Sequence, residues 1–284
     1  MKRIGIIPKR NKPEALRWAA ELAGWSMERG MEVYVEEPVA SMSSGTIPIS
    51  PEEMAQAVDL VIVLGGDGTL LSVARLVLDK GVPILGVNLG GLGFLTEISL
   101  KELYPVMERV LAGDFETESR MTLRAELLRG EETVIHMAVL NDAAINSGAF
   151  ARLIQMETFV DGKFLSSFRA DGLILCTPTG STAYNLAAGG PIIHPTLNCI
   201  GIVPICPHTL TNRPLLVPDT SIVEVILNTK GEGIRFTLDG QVGVAMEVGD
   251  MVRVQKGSNC VHLVKNPVRN YFNVLREKLH WGER

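Results

Sequence analysis

Cysteine is scarce in this chain, and its four copies, Cys176, Cys199, Cys206 and Cys260, form no C-x-x-C pair. That spacing excludes the common zinc patterns and a disulfide framework, and it makes a reduced, cytoplasmic setting the expectation. The five histidines are equally scattered. Basic charge is also short: 27 Lys and Arg stand against 32 Asp and Glu, so no electrostatic footprint for nucleic acid is present. No apolar run approaches the roughly 20 residues of a membrane span. The opening MKRIGIIP has too short an apolar stretch for a signal peptide and reads as a first strand. Two phosphate-binding signatures are missing as well. There is no Gly-Lys-Ser/Thr of a Walker A loop and no Gly-x-Gly-x-x-Gly; Gly90-Gly91-Leu92-Gly93 comes nearest and does not fit.

What the chain does have is length and apolar content. With 284 residues and 46% hydrophobic composition it has material for two domains, and a globular chain of this size buries roughly 75% of its unfolded surface. Its most informative feature is Gly65-Gly66-Asp67-Gly68-Thr69. The pentapeptide lies between an apolar run, Asp59–Leu64, and Leu70–Lys80, which has helical spacing. The turn is therefore expected at the carboxyl end of a buried parallel strand, where open α/β sheets bind ligands. Glycines there admit phosphate close to the backbone, and the helix start favours anionic oxygens. A carboxylate in such a turn repels bare phosphate and more naturally meets a hydroxyl or a metal ion, as phosphoryl transfer to an alcohol requires. The same residues also make an ordinary turn in which Asp caps the helix.

The rhythm of the chain changes near Phe115. Before it, strands at Arg3–Ile7, Glu32–Val35, Leu60–Leu64 and Pro83–Val87 alternate with helices at Pro13–Arg29 and Leu70–Lys80. Pro38–Pro51 reads as a loop, and a further helix is expected near Ser99 with Ser99 and Glu102 as a capping box. This alternation predicts a Rossmann-like, doubly wound parallel sheet. After it, strands are expected at Thr122–Leu128, Thr133–Leu140, Leu153–Val160, Gly172–Cys176, Ser221–Leu227, Ile234–Leu238 and Met251–Gln255. Asp161-Gly162, Lys230-Gly231 and Asp239-Gly240 supply turns. The fold class is thus α/β plus all-β. An α/β domain (residues 1–118) precedes a β-rich, sandwich-like domain (119–265), and a terminal helix (Asn270–Leu279, within 266–284) returns to the first.

Three polar clusters interrupt this second half. Asn141-Asp142 follows an apolar run; the pair suits the vicinal hydroxyls of a ribose, but taken by itself it reads first as an Asx turn. Arg169-Ala170-Asp171-Gly172 leads to Thr177–Asn185, a shaped loop in which Tyr184 can face an adenine ring and Thr182 offers a hydroxyl. A plain connection capped by Ser and Thr is the alternative. Asp239-Gly240-Gln241 looks like a hairpin turn.

Together these residues resemble the NAD kinase family. The resemblance rests on Gly65–Thr69, Asn88-Leu89-Gly90, Gly91–Leu95, Asn141-Asp142, Asp171-Gly172, Thr177–Asn185, Gly189-Gly190-Pro191, Pro207–Leu210 and Asp239-Gly240-Gln241, in the family's order. Single motifs are shared with lipid kinases and phosphofructokinases; the ordered set is specific. The resemblance implies transfer of the ATP γ-phosphoryl group to the adenosine-ribose 2′-hydroxyl of NAD, with Mg²⁺ as the divalent ion and the active site in a cleft between two domains. It implies Asp67 as the catalytic residue and Gly65, Gly66, Gly68 and Thr69 as the turn for the ATP phosphates. Dinucleotide-binding positions fall on Asp67, Gly68, Asn141, Asp142, Arg152, Arg169, Asp171, Thr182, Ala183, Tyr184, Asn185, Ala187 and Gln241. A cytoplasmic dimer or tetramer with small-molecule partners only, neither nucleic acid nor membrane, is also implied. Two departures stand out: the family usually has Asn-Glu at Asn141-Asp142, and often Ser at Asn185 and Ala187. The rivals are a lipid or sugar kinase of the same superfamily, for which no membrane-docking stretch is visible, and a dinucleotide sensor without turnover.

Overall fold

The structure is a computed structural model that describes residues 1–148, 153–209, 211–230 and 233–282. It divides into two compact units, Met1–Ser119 with Val261–Arg284, and Arg120–Cys260.

The first unit opens β1 (Arg3–Pro8), α1 (Pro13–Met27), β2 (Glu32–Val35), α2 (Glu37–Ala40), β3 (Ile47–Pro48), α3 (Pro51–Ala57), β4 (Leu60–Gly65) and α4 (Asp67–Val77). It continues with β5 (Ile84–Asn88), β6 (Ile98–Ser99) and α5 (Leu103–Leu111). The strands are parallel in the order β3-β2-β1-β4-β5, with β6 beyond β5. From β1 the chain first builds outward through β2 and β3, then returns to β1's other side at β4. That reversal is the topological switch point of a doubly wound sheet. β4 is buried at every position, which is why its sequence is a continuous aliphatic run without alternation. In α1 the buried positions Ala15, Ala19, Leu22, Ala23 and Ser26 follow helical spacing and form one face.

Two local expectations fail here. The segment Pro38–Pro51 is not a plain loop: it contains most of α2, the short β3 and the start of α3. Proline reads as a breaker, yet Pro38 and Pro51 sit in first helical turns, where no N–H is needed. Ser99 and Glu102 do bond, with Ser99 N and Oγ donating to Glu102 Oε2 at 2.8 and 2.6 Å, but they do not cap α5. The helix starts after them at Leu103, with Glu102 at its N-cap and no side-chain cap bond. The terminal helix, Tyr271–Leu279, belongs to this unit. Asn270 and Asn273 make its capping box, and Asn266 and Arg269 tie the preceding turn to the Glu97 carbonyl at 3.1 Å.

The second unit is antiparallel and built as two sheets. One contains β7 (Thr117–Arg129), β8 (Glu132–Val139), β10 (Ile154–Val160), β11 (Lys163–Ala170), β15 (Val223–Leu227) and the part of β18 (Met251–Val264) up to Cys260. The other runs β14-β13-β12-β9-β16-β17, namely Leu215–Pro218, Cys199–Ile205, Gly172–Cys176, Asp142–Asn146, Arg235–Leu238 and Val242–Ala245. Both contribute to one core, Leu123 and Val225 from the first, Ile145, Leu175 and Phe236 from the second. Asp161-Gly162 forms the tight β10–β11 turn, both residues at positive φ (52° and 72°). The sequence reading missed β9, β11, β13, β14 and β17, and Asn141-Asp142 is not a strand end followed by a turn: Asp142 opens β9. Gly231 of the expected Lys230-Gly231 turn lies outside the described residues.

Candidate active site

In the first unit the glycine turn lies at the switch point, between the last residue of β4 and the first turn of α4. Gly66 is the N-cap and offers no side-chain acceptor. Asp67 does not cap its own helix. Its carboxylate reaches instead to the loop after β5, where Oδ1 accepts from Leu95 N (3.1 Å), Thr96 N (3.0 Å) and Thr96 Oγ1 (2.9 Å). Among the described residues Oδ2 accepts only from Phe94 N, at 2.9 Å. One oxygen is thus saturated and the other keeps lone-pair capacity. Thr96, fully buried, also accepts from Asn88 Nδ2 at 2.8 Å, so Asn88, Thr96 and Asp67 form a chain of hydrogen bonds. Gly93 makes the arrangement possible, because a Cβ there would collide with Asp67 Oδ1 and Thr96 Oγ1.

We expect Thr96→Val to keep the fold while removing one bond to Asp67 and stranding the Asn88 amide. Turnover should fall about tenfold, the effect of one charge-assisted bond, with the KM for the acceptor unchanged. Steady-state kinetics beside a melting curve check this; an unchanged kcat would remove Thr96 from the account.

Beside the turn is a cavity of about 510 Å³ whose walls include Lys9, Arg10, Glu36, Gly66, Gly68 and Thr69. The two cations follow β1, on the other side of the switch point, and were missed in the sequence. Their signal was a basic pair directly after the first strand.

In the second unit, β9 carries Asp142, Ala144 and Asn146 on one face by strand alternation. Ala144 packs there with Ile174, Cys176 and Val203. Asp142 is 5% exposed, and its carboxylate takes no hydrogen bond from the described residues. Burial, and next the charge of Asp239, push its carboxyl up to about 7. Asp239, read from sequence as a turn residue, is also a clamp: its carboxylate accepts the backbone N–H groups of Leu140, Asn141 and Asp142 at 3.2, 2.8 and 3.3 Å. Thr177 Oγ1 donates to the Leu140 carbonyl at 2.6 Å and so fixes the same corner from β12.

The loop after β12 is compact, a 3₁₀ turn (Thr179–Thr182) and a single helical turn (Tyr184–Ala187). Tyr184 donates to Asn146 Oδ1 at 2.9 Å, and Asn146 Nδ2 donates to Thr237 Oγ1 at 3.1 Å. Burial raises the Tyr184 hydroxyl, with smaller contributions from Asp142, Cys206 and Asp171, so these groups share one polar neighbourhood. Asn146 was not singled out, although its i+4 spacing from Asp142 put it on the same face. Asn185 is fully buried, and its Nδ2 donates to the carbonyls of Ser181 and Pro191 at 2.7 and 3.0 Å, pinning the loop's two ends. Thr182 and Ala183 are half-buried, and Ala187 is exposed.

The remaining residues are looser. Arg169 is exposed and its guanidinium makes no ion pair or hydrogen bond with the described residues; its carbonyl accepts from His208 N at 2.9 Å. Asp171 is half-buried at the entry to β12, and Gln241 is exposed beyond the Asp239-Gly240 turn. Arg152 lies outside the described residues. No cluster of three or more His, Cys, Asp or Glu fit to cage a metal ion is gathered among the described residues, and no described helix is long and apolar enough to cross a membrane.

Family models agree with both halves. The ATP-NAD kinase N-terminal domain matches residues 4–115 and the ATP-NAD kinase C-terminal domain matches 140–266. The chain belongs to the NAD kinase family. Among its relatives are the NAD kinases of Geotalea daltonii and Geobacter sulfurreducens, each 51% identical over 284 residues and covering both chains completely. Among solved structures, yeast NADH kinase complexed with NADH aligns with a TM-score of 0.91 at 26% identity, covering 100% of this chain and 89% of that one. An NAD kinase from Archaeoglobus fulgidus in complex with ATP aligns with a TM-score of 0.77, also at 26% identity, covering 98% and 99%. NAD kinase membership also sets aside the lipid- or sugar-kinase rival.

Proposed function

We infer that this protein is an NAD kinase that transfers the γ-phosphoryl group of ATP to the adenosine-ribose 2′-hydroxyl of NAD, making NADP. The observation that carries the reading is the Asp67 carboxylate, held rigid through Oδ1 at the switch-point turn of a chain that both kinase domain models match. A ribose hydroxyl is a weak nucleophile, and phosphoryl transfer passes through a loose transition state with little bonding to the incoming oxygen. Orientation and charge neutralisation therefore carry most of the acceleration. In this account Asp67 Oδ2 accepts the 2′-hydroxyl's hydrogen bond and takes its proton late, as the O2′–P bond forms and the bond from γ-phosphorus to the ADP oxygen breaks.

The turn Gly65–Thr69 binds the donor phosphates through backbone N–H groups, with Lys9 and Arg10 adding the positive charge that a Walker lysine supplies elsewhere. The Thr69 hydroxyl beside the turn would serve as a protein ligand for a Mg²⁺ ion carried by the donor phosphates, leaving the free lone pair of Asp67 Oδ2 to the 2′-hydroxyl. When bound, the ion neutralises charge on the transferring group. Asn141 and Asp142 bind ribose hydroxyls, and Tyr184 with Thr182, Ala183 and Ala187 forms the wall for the adenine, a wall that the buried Asn185 holds from behind through its bonds to the Ser181 and Pro191 carbonyls. Arg169, Asp171 and Gln241 complete the proposed dinucleotide contacts, Arg169 toward the pyrophosphate, and Arg152, outside the described residues, is the remaining candidate. The same reading carries a cytoplasmic homo-oligomer, dimer or tetramer, which light scattering on the purified protein checks. The reaction itself is tested by NADP formation from NAD, ATP and Mg²⁺.

A further inference from the structure

Asp67 is only as well placed as the loop that grips it. Its carboxylate takes the backbone N–H groups of Phe94, Leu95 and Thr96, and all three come from the excursion between β5 and β6. That excursion leaves the sheet at Asn88 and returns through a pairing of two residues, Val87 with Ile98 and Asn88 with Ser99. A two-residue strand holds little on its own. The further hold comes from far along the chain. Asn266 is 3% exposed, and its Oδ1 accepts from Val268 N at 3.0 Å, which aims its Nδ2 at the Glu97 carbonyl 3.1 Å away. Arg269 Nη1 donates to the same carbonyl at 3.1 Å, so both of its lone pairs are taken. Arg269 Nη2 lies 3.5 Å from Glu102 Oε1, and Glu102 Oε2 accepts from Ser99 N and Oγ. One guanidinium thus grips the segment from Glu97 to Glu102 at both ends. The two side chains are 24% and 23% exposed, so water screens the pair less than it does a surface ion pair. The terminal helix adds Lys278, whose Nζ lies 5.7 Å from the centre of the Phe94 ring.

We propose, resting on the kinase reading, that Arg269 and Asn266 are positioning residues for Asp67. By fixing the Glu97 carbonyl they fix the adjoining amides on which the carboxylate rests. Neither side chain takes part in the chemistry itself. A displacement of about 1 Å at a reacting group costs on the order of a hundredfold in rate, so partial release of the loop is felt at the 2′-hydroxyl.

The test measures NADP formation and amide hydrogen exchange for the wild type, Arg269→Met and Asn266→Ala, with Arg269→Met also placed in the Asp67→Asn protein. Methionine keeps an apolar stem and removes both donors. Asn266→Ala removes the other donor to the Glu97 carbonyl, and it carries the test if Arg269→Met does not fold. In each variant kcat should fall about tenfold, while the KM values for NAD and ATP stay within about twofold. The amides of Phe94, Leu95 and Thr96 should exchange at least about tenfold faster, and those of β4 at the wild-type rate. In the Asp67→Asn protein, Arg269→Met should lower the residual turnover by less than about twofold, because no placed carboxylate remains to be lost. An unaltered kcat in the folded variants, or unaltered exchange in the loop, overturns the assignment. So does an equal loss with and without the Asp67 carboxylate, which marks a general loosening. Faster loop exchange in the variants, with no NADP from folded wild type, contradicts the kinase reading and leaves the tie between terminal segment and loop standing.

Discussion

Asp67→Asn should lower kcat about a thousandfold while the protein stays folded, within the range expected for loss of a positioned proton acceptor. The substitution keeps the shape and removes the charge. Its amide oxygen can still accept from Leu95, Thr96 N and Thr96 Oγ1, as Oδ1 does now. Its NH₂ then faces the Phe94 N–H, which at present donates to Oδ2. Two donors in opposition loosen that loop by about 1–3 kcal/mol, so a modest fall in melting temperature accompanies the kinetic loss. The KM values for NAD and ATP should change far less than kcat, because the interaction removed is made chiefly in the transition state. Turnover within a few-fold of wild type would remove Asp67 from the chemistry.

Asp142→Asn should do two opposite things: weaken NAD and stabilise the fold. The Asp142 carboxyl, pushed up to about 7 from 3.8 by burial and by Asp239, is held in the fold at a cost once it ionises. The groups facing it are Asp239, Tyr184 and the buried Cys176 thiol, itself pushed up to about 12. Between about pH 4 and 7 the folded state holds a proton that the unfolded chain has lost, so stability falls as pH rises through this window. Above it the full cost applies. Asn at 142 escapes that cost, and the variant should be more stable at pH 8 by on the order of 2 kcal/mol, with little difference near pH 4. Denaturant unfolding at the two pH values reads it directly. The NAD KM should meanwhile rise at least about tenfold, since a charge-assisted bond to a ribose hydroxyl is lost. In the wild type that KM should climb below pH 7 as the carboxyl protonates, and in Asp142→Asn it should stay flat. A variant less stable at pH 8, or a wild-type KM independent of pH, would contradict the role given to Asp142.

The glycine turn was legible because everything defining it is contiguous. An unbroken aliphatic strand, three glycines and a helical repeat leave one position for Asp67. What holds Asp67 was not legible, since Thr96 lies 29 residues away and only the fold brings it near. Asp239 was hidden in the same manner, 97 to 99 residues from the amides it accepts. Among strands, Gly172–Cys176 read cleanly from its β-branched and aliphatic run, whereas Cys199–Ile205 was obscured by Pro204. That proline lies past Ile202, the last residue paired with β14, so on that side no ladder bond is asked of it. The helix Pro51–Ala57 was lost to the habit of reading proline as a breaker, although its first turn tolerates one. Asn146 was missed because the alternation that pairs it with Asp142 appears only once β9 is known to be a strand.

The most direct test of the central claim is a two-stage assay. Protein is incubated with NAD, ATP and Mg²⁺, and an NADP-specific dehydrogenase then reports the product, with Asp67→Asn run in parallel. The account predicts NADP from the wild type and almost none from the folded variant. Absence of NADP with well-folded wild type, or equal NADP from both proteins, would contradict it.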